Sequence, residues 1–175
     1  MIAAQQSSGL IEGWIKDMGC HPRKVPVGNA NWNFEVDYPV STPHRMVVLN
    51  PVTAPRAVII GVKVEFSPEH VGAFGLLEDY DKQKFMDDLQ ATLNREFVEF
   101  TFDDGVPITG LSCPKSFQIT AIRYEDGLSL DSFARTVSSV YKTEFAALMC
   151  VQRHLRGDDI PGPGGDFGFK VPRLQ

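Results

Sequence analysis

The stretch Ala57-Val58-Ile59-Ile60-Gly61-Val62-Lys63-Val64-Glu65-Phe66 limits most strongly what this chain can become. Ile60, Val62, Val64 and Phe66 alternate with Gly61, Lys63 and Glu65, and a two-residue period is that of an extended strand with one oily face. Ser67-Pro68-Glu69 follows at once and supplies a hydroxyl N-cap, a proline at the first helical position and an acid in the first turn. Beyond the helical region Val98, Phe100 and Phe102 alternate with Glu99 and Thr101, so residues 57–104 read as strand, helix, strand. Gly61, inside the first strand, leaves room for a close neighbour, most often a packed helix.

The same periodicities place the remaining elements. Leu10, Ile11, Trp14, Ile15 and Met18 recur at helical spacing, predicting a helix over 8–18 that ends at Gly19. Residues 20–29, with Pro22, Pro26 and Gly28, read as a loop. Trp32, Phe34, Val36 and Tyr38 alternate with Asn33, Glu35 and Asp37, predicting a strand with one face buried and the other in water. Residues 45–49 form a second strand, whose unbroken apolar run Met46–Leu49 suggests burial on both faces or a partner against one, and 57–66 the third, making a meander. Val71 and Phe74 belong to a short helical turn weakened by Gly75. Asp79 or Asp81 then caps a helix bearing Phe85, Leu89 and Leu93. Strands over 98–102 and 117–124 lead to a helix from Leu130 to about Leu155, capped by Ser129 or Asp131 and nearly 40 Å long at ~1.5 Å per residue. The fold class is α+β: helix, three strands, helix, two strands, helix, with an antiparallel sheet packed by helices.

Two consequences for organisation follow. Residues 1–156 read as one α+β domain, for which 175 residues with 43% hydrophobic content supply an adequate core. Residues 157–175 read as a tail linked by Ile160-Pro161-Gly162-Pro163-Gly164-Gly165. The tail ends in an alternating stretch, Phe167-Gly168-Phe169-Lys170-Val171, expected to pack on the domain or on a neighbour. On the last helix Phe145, Ala146 and Met149 widen the apolar surface beyond the main stripe. Phe145, Met149, Phe167 and Phe169 are therefore the candidate partner-binding residues, although a deeper core would use the helical ones equally well.

Charge and cysteine usage exclude several roles. A net charge of −5 and a pI near 5.3, without any run of basic residues, oppose nucleic-acid binding, which draws on clustered Lys and Arg. Cys20, Cys113 and Cys150 are odd in number and lack metal spacing, which fits free thiols in a reducing cytoplasm. No apolar run approaches the ~18 residues of a membrane span, and the amino terminus lacks the basic and apolar regions of a secretory signal. The expectation is a cytoplasmic protein acting away from nucleic acid and membrane.

Catalytic signals are weak. His21, His44, His70 and His154 stand outside recognisable motifs, and in Cys20-His21 adjacent side chains point apart. Glu69-His70 lacks the second histidine of a His-Glu-x-x-His metal site and has a structural role at a helix start. Asp103 and Asp104 precede Gly105, where carboxylates commonly bond to turn backbone. No catalytic, cofactor-binding or metal residue is assigned. The alternative is a small-ligand binder or hydrolase whose polar groups come from Asp103, Asp104, His70 and the loop through Cys113, and it requires these to converge.

Val58-Ile59-Ile60-Gly61-Val62-Lys63-Val64 running into Ser67-Pro68-Glu69-His70, followed by Phe85, Leu89 and Leu93, resembles a family of archaeal and cyanobacterial proteins assigned to the type III secretion chaperone-like fold. That family is related at the level of fold to YbjN-type proteins. The resemblance covers residues 8–156. It implies a small cytoplasmic module, often a homodimer, holding a protein or peptide client by apolar contact, and it carries no catalytic residues or cofactor. The chain departs from a true secretion chaperone in its Pro/Gly-linked tail.

Overall fold

A computed structural model describes residues 4–95, 97–105 and 111–155. The elements are α1 (Ala4–Asp17), β1 (Arg23–Lys24), β2 (Ala30–Tyr38), β3 (His44–Pro51), β4 (Ala57–Glu65), α2 (Pro68–Gly75), α3 (Asp79–Leu93), β5 (Glu99–Phe102), β6 (Ser116–Tyr124) and α4 (Leu130–Leu155). The strands hydrogen-bond in the order β1-β2-β3-β4-β6-β5. β1 to β4 pair antiparallel in succession. β6 runs antiparallel to β4, since Phe66 N–H bonds to the Lys115 carbonyl at one end and Glu125 N–H to the Arg56 carbonyl at the other. The expected α+β element order is thus present, with β1 added at the sheet edge.

The chain forms two compact units. The first takes residues up to Val62 and returns with Thr120–Tyr141, so it holds α1, β1 to β3, most of β4, the end of β6 and the first half of α4. Its core joins Ile11 and Ile15 of α1, Phe34 and Val36 of β2, Met46 and Val48 of β3, Ile60 of β4, and Phe133, Val137 and Val140 of α4. Trp14 and Phe133 meet with ring centroids 5.9 Å apart, and the Trp32 indole N–H donates to Ser7 Oγ at 3.1 Å, tying β2 to α1. Gly19 at φ +77 closes α1, as the helical spacing anticipates, with Cys20 N–H donating to the Ile15 carbonyl.

In this unit the second face of β2 is dry at its centre. Asn33 and Glu35 are buried, contrary to the alternation, because the chain through β1 shelters them. Arg23 stands opposite Glu35 in the register and 3.6 Å from its carboxylate, and Asn33 Nδ2 donates to the Val25 carbonyl at 3.2 Å. Asn50, also buried, bonds to the Pro55 and Ala57 carbonyls and accepts from Asn31, which pins the β3–β4 connection.

The second unit holds the end of β4, α2, α3, β5, the start of β6 and the second half of α4. Ser67 caps α2 as its sequence requires, accepting from His70 N–H. The N-cap of α3 is Glu78 without a side-chain cap bond, and Asp79 and Asp81 fall in its first turn rather than at the cap. Phe85, Leu89 and Leu93 are fully buried, and rings of Phe66, Phe74, Phe117 and His154 pack around this core at centroid distances of 5.6–6.4 Å. Phe100 and Phe102 of β5 are only half-buried and stack edge to face on one another. Among the described residues no helix is long and apolar enough to cross a membrane.

Candidate functional site

The second half of α4 shows why helical phase decides which side chains face water. Val140, Glu144, Leu148, Val151 and Leu155 lie along the buried stripe, so the carboxyl-bearing Glu144 is 1% exposed. The next stripe carries Phe145, 44% exposed, with Met149 one turn on and half-buried, and Ala146 beside them half-buried as well. The helical members of the candidate partner surface therefore lie at the protein surface. Phe167 and Phe169 lie outside the described residues.

The polar candidates have structural duties. His70 is buried, and its Nδ1 lies 2.8 Å from the Ser67 hydroxyl that caps α2. Asp103, at φ +46, accepts through Oδ1 from the backbone N–H groups of Lys115 and Ser116 at 2.6 and 2.9 Å, locking the approach to β6. Burial and then the charge of Asp103 push the Cys113 thiol up to about 11, which suits a neutral thiol and not a nucleophile. The side chain of Asp104 lies outside the described residues. His21 is exposed, and His44 stacks edge-on against Tyr141 at 5.3 Å. Burial raises Cys20, with Asp37 adding to it.

One polar arrangement escapes sequence reasoning. His154 Nε2 lies 2.9 Å from Asp88 Oδ2, joining the end of α4 to the middle of α3. Cys150, one turn before His154, is buried; burial raises its thiol and Asp88 raises it further, while a bond from Thr92 opposes them. A carboxylate, an imidazole and a thiol thus share a neighbourhood, but the thiol is held protonated, and the pair acts as a clasp between helices. No sequence signal foretells it, since the partners are 66 residues apart.

Two cavities of the first unit are small. One in the first unit, lined by Ile15, Met46, Val48, Phe133 and others, measures about 10 Å³, which admits at most one water. Another, between Ser7, Asn50, Arg56 and Glu125, measures about 30 Å³. Neither is lined by His70, Asp103 or Cys113. Among the described residues no group of three or more His, Cys, Asp or Glu is placed to hold a metal ion.

Fold and surface together define an α+β protein with an antiparallel sheet and a long last helix that exposes Phe145. The chain belongs to the family described as "Uncharacterized conserved protein (DUF2299)", whose model matches residues 7–151. A crystal structure of a protein from Methanothermobacter thermautotrophicus is similar at 25% identity and a TM-score of 0.75, covering 85% of this chain and 99% of that one. YbjN from E. coli is similar at 12% identity and a TM-score of 0.42, covering 82% and 87%. No curated protein matches the chain.

Proposed function

We propose that this protein is a non-enzymatic, cytoplasmic binding module that self-associates as a homodimer and holds a protein or peptide client in a chaperone-like manner. The observation that carries the reading is Phe145, a large aromatic 44% exposed in the middle of a 26-residue helix beside the half-buried Met149. Aromatic and Met side chains of this kind anchor interfaces, because their burial against a partner removes much apolar area from water. The engagement of Asp103 in backbone bonds and of His70 beside the α2 cap, together with the raised thiol of Cys113, supports a role without catalysis.

Sedimentation velocity tests this directly. The full chain sediments as a dimer at micromolar concentration, and Phe145→Ser shifts it toward monomer while leaving its circular dichroism unchanged, as expected for an exposed site. A wild-type monomer at that concentration, together with affinity purification that recovers no protein partner, overturns the reading.

A further inference from the structure

The corner at which α2 gives way to α3, in the second unit, exposes three large apolar side chains within ten residues: Val71 at 43%, Leu76 at 89% and Tyr80 at 77%. Single exposed hydrophobes are ordinary, but three within ten residues put much apolar area in water at one corner of the chain. Gly72 and Gly75 fall among them, and an added Cβ at either would meet nothing within 4 Å. The surroundings are acidic. Between Pro68 and Leu93 the chain carries Glu69, Glu78, Asp79, Asp81, Asp87 and Asp88 against Lys82 and Lys84, and Lys82 already pairs with Asp79 at 3.5 Å. An occupant that suits this corner is apolar and basic.

We propose that the occupant is this chain's own segment Phe167–Arg173. Phe167, Phe169 and Val171 alternate, so in extended form they line one edge, while Lys170 and Arg173 supply two positive charges and no acid falls between Phe167 and Arg173. The geometry of α4 permits it. The His154–Asp88 contact holds the end of α4 against α3, and Tyr80 lies eight residues back along α3 from Asp88, or about 12 Å. From Leu155 to Phe167 the chain can span about 40 Å, well beyond that distance. Tethering makes the encounter intramolecular, at an effective concentration of order mM, so weak contacts suffice to keep the segment seated. The inference shares Phe167 and Phe169 with the proposed partner surface, but not Phe145 and Met149, and so the two readings fail separately.

Amide hydrogen exchange on the full chain tests it. The amides of Phe167 to Val171 exchange about tenfold or more slowly than those of a free peptide of the same sequence, and the protection does not depend on protein concentration. Leu76→Ser with Tyr80→Ser, two exposed positions, returns these amides to free-peptide rates, as does Lys170→Glu with Arg173→Glu. Adding Glu78→Lys and Asp81→Lys to the latter restores protection. Free-peptide rates in the wild type, or protection that survives Leu76→Ser with Tyr80→Ser, overturn the proposal. So does protection lost on dilution, which would place the segment on a second copy, and so does failure of the charge-reversal rescue. A Phe145→Ser chain that loses its dimer yet keeps its tail protection separates this inference from the partner-binding reading.

Discussion

Cys113 provides the sharpest test of whether this protein holds a hidden nucleophile. Its thiol is pushed from an ordinary 9.0 up to about 11, first by burial and second by the charge of Asp103. Two pKa units leave about one hundredth of the usual thiolate at any pH below 9, and the thiolate is the reacting form. Iodoacetamide labelling of the full chain, followed residue by residue by mass spectrometry across pH 7 to 11, should therefore modify Cys113 about 100-fold more slowly than a cysteine in an unfolded peptide near pH 7 to 8, with the gap closing as pH rises toward 11. Asp103→Asn should bring back only the smaller part of that difference, because burial is the leading cause. Linkage gives the matching sign for stability. The folded state favours the protonated thiol, so the contribution is complete below about 9 and is lost as pH rises from about 9 to about 11. The urea midpoint of the wild type should then fall across that window by more than that of Cys113→Ala. Labelling as fast as in the unfolded peptide, or a labelling midpoint at or below 9, would refute the reasoning and revive the hydrolase alternative.

Two predictions concern what holds each unit together. Phe85→Ala removes a fully buried ring that contacts Phe66, Phe74 and His154, and should destabilise by about 3–5 kcal/mol in urea denaturation. A loss below about 1 kcal/mol would mean that the cluster is not core. Asn50→Ala strips partners from the Pro55 and Ala57 carbonyls and from Asn31, and should cost about 1–3 kcal/mol, whereas Asn50→Asp keeps only the acceptor and should recover only part of the loss.

Period-two alternation located β2 and β4, and helical spacing located α4, because a strand or helix that buries one face must repeat its apolar side chains with the pitch of its own backbone. Caps were equally legible where a hydroxyl stood before a proline, as at Ser67, since a local bond needs only local residues. Which residues stay dry was a different matter. Asn33 and Glu35 look wet in sequence and are buried, because the two-residue strand β1 supplies Arg23 and the chain just after it the Val25 carbonyl. Glu144 lies inside and Phe145 outside because a stripe at 3.6 residues per turn drifts across neighbouring positions, and packing alone selects its phase.

The candidate surfaces divide in the same way. Phe145 and Met149 could be named in advance as apolar excess on α4, yet only the tertiary structure shows Phe145 exposed and Met149 half-buried instead of in a deeper core. The Asp88–His154 clasp could not be named, for it depends on what two distant segments do to one another, nor could the exposure of Leu76 and Tyr80, which only packing decides. Backbone periodicity and caps are written into neighbouring residues and can be read there. Burial, pairing and exposure belong to contacts between residues far apart in the chain, and those exist only once the tertiary structure has formed.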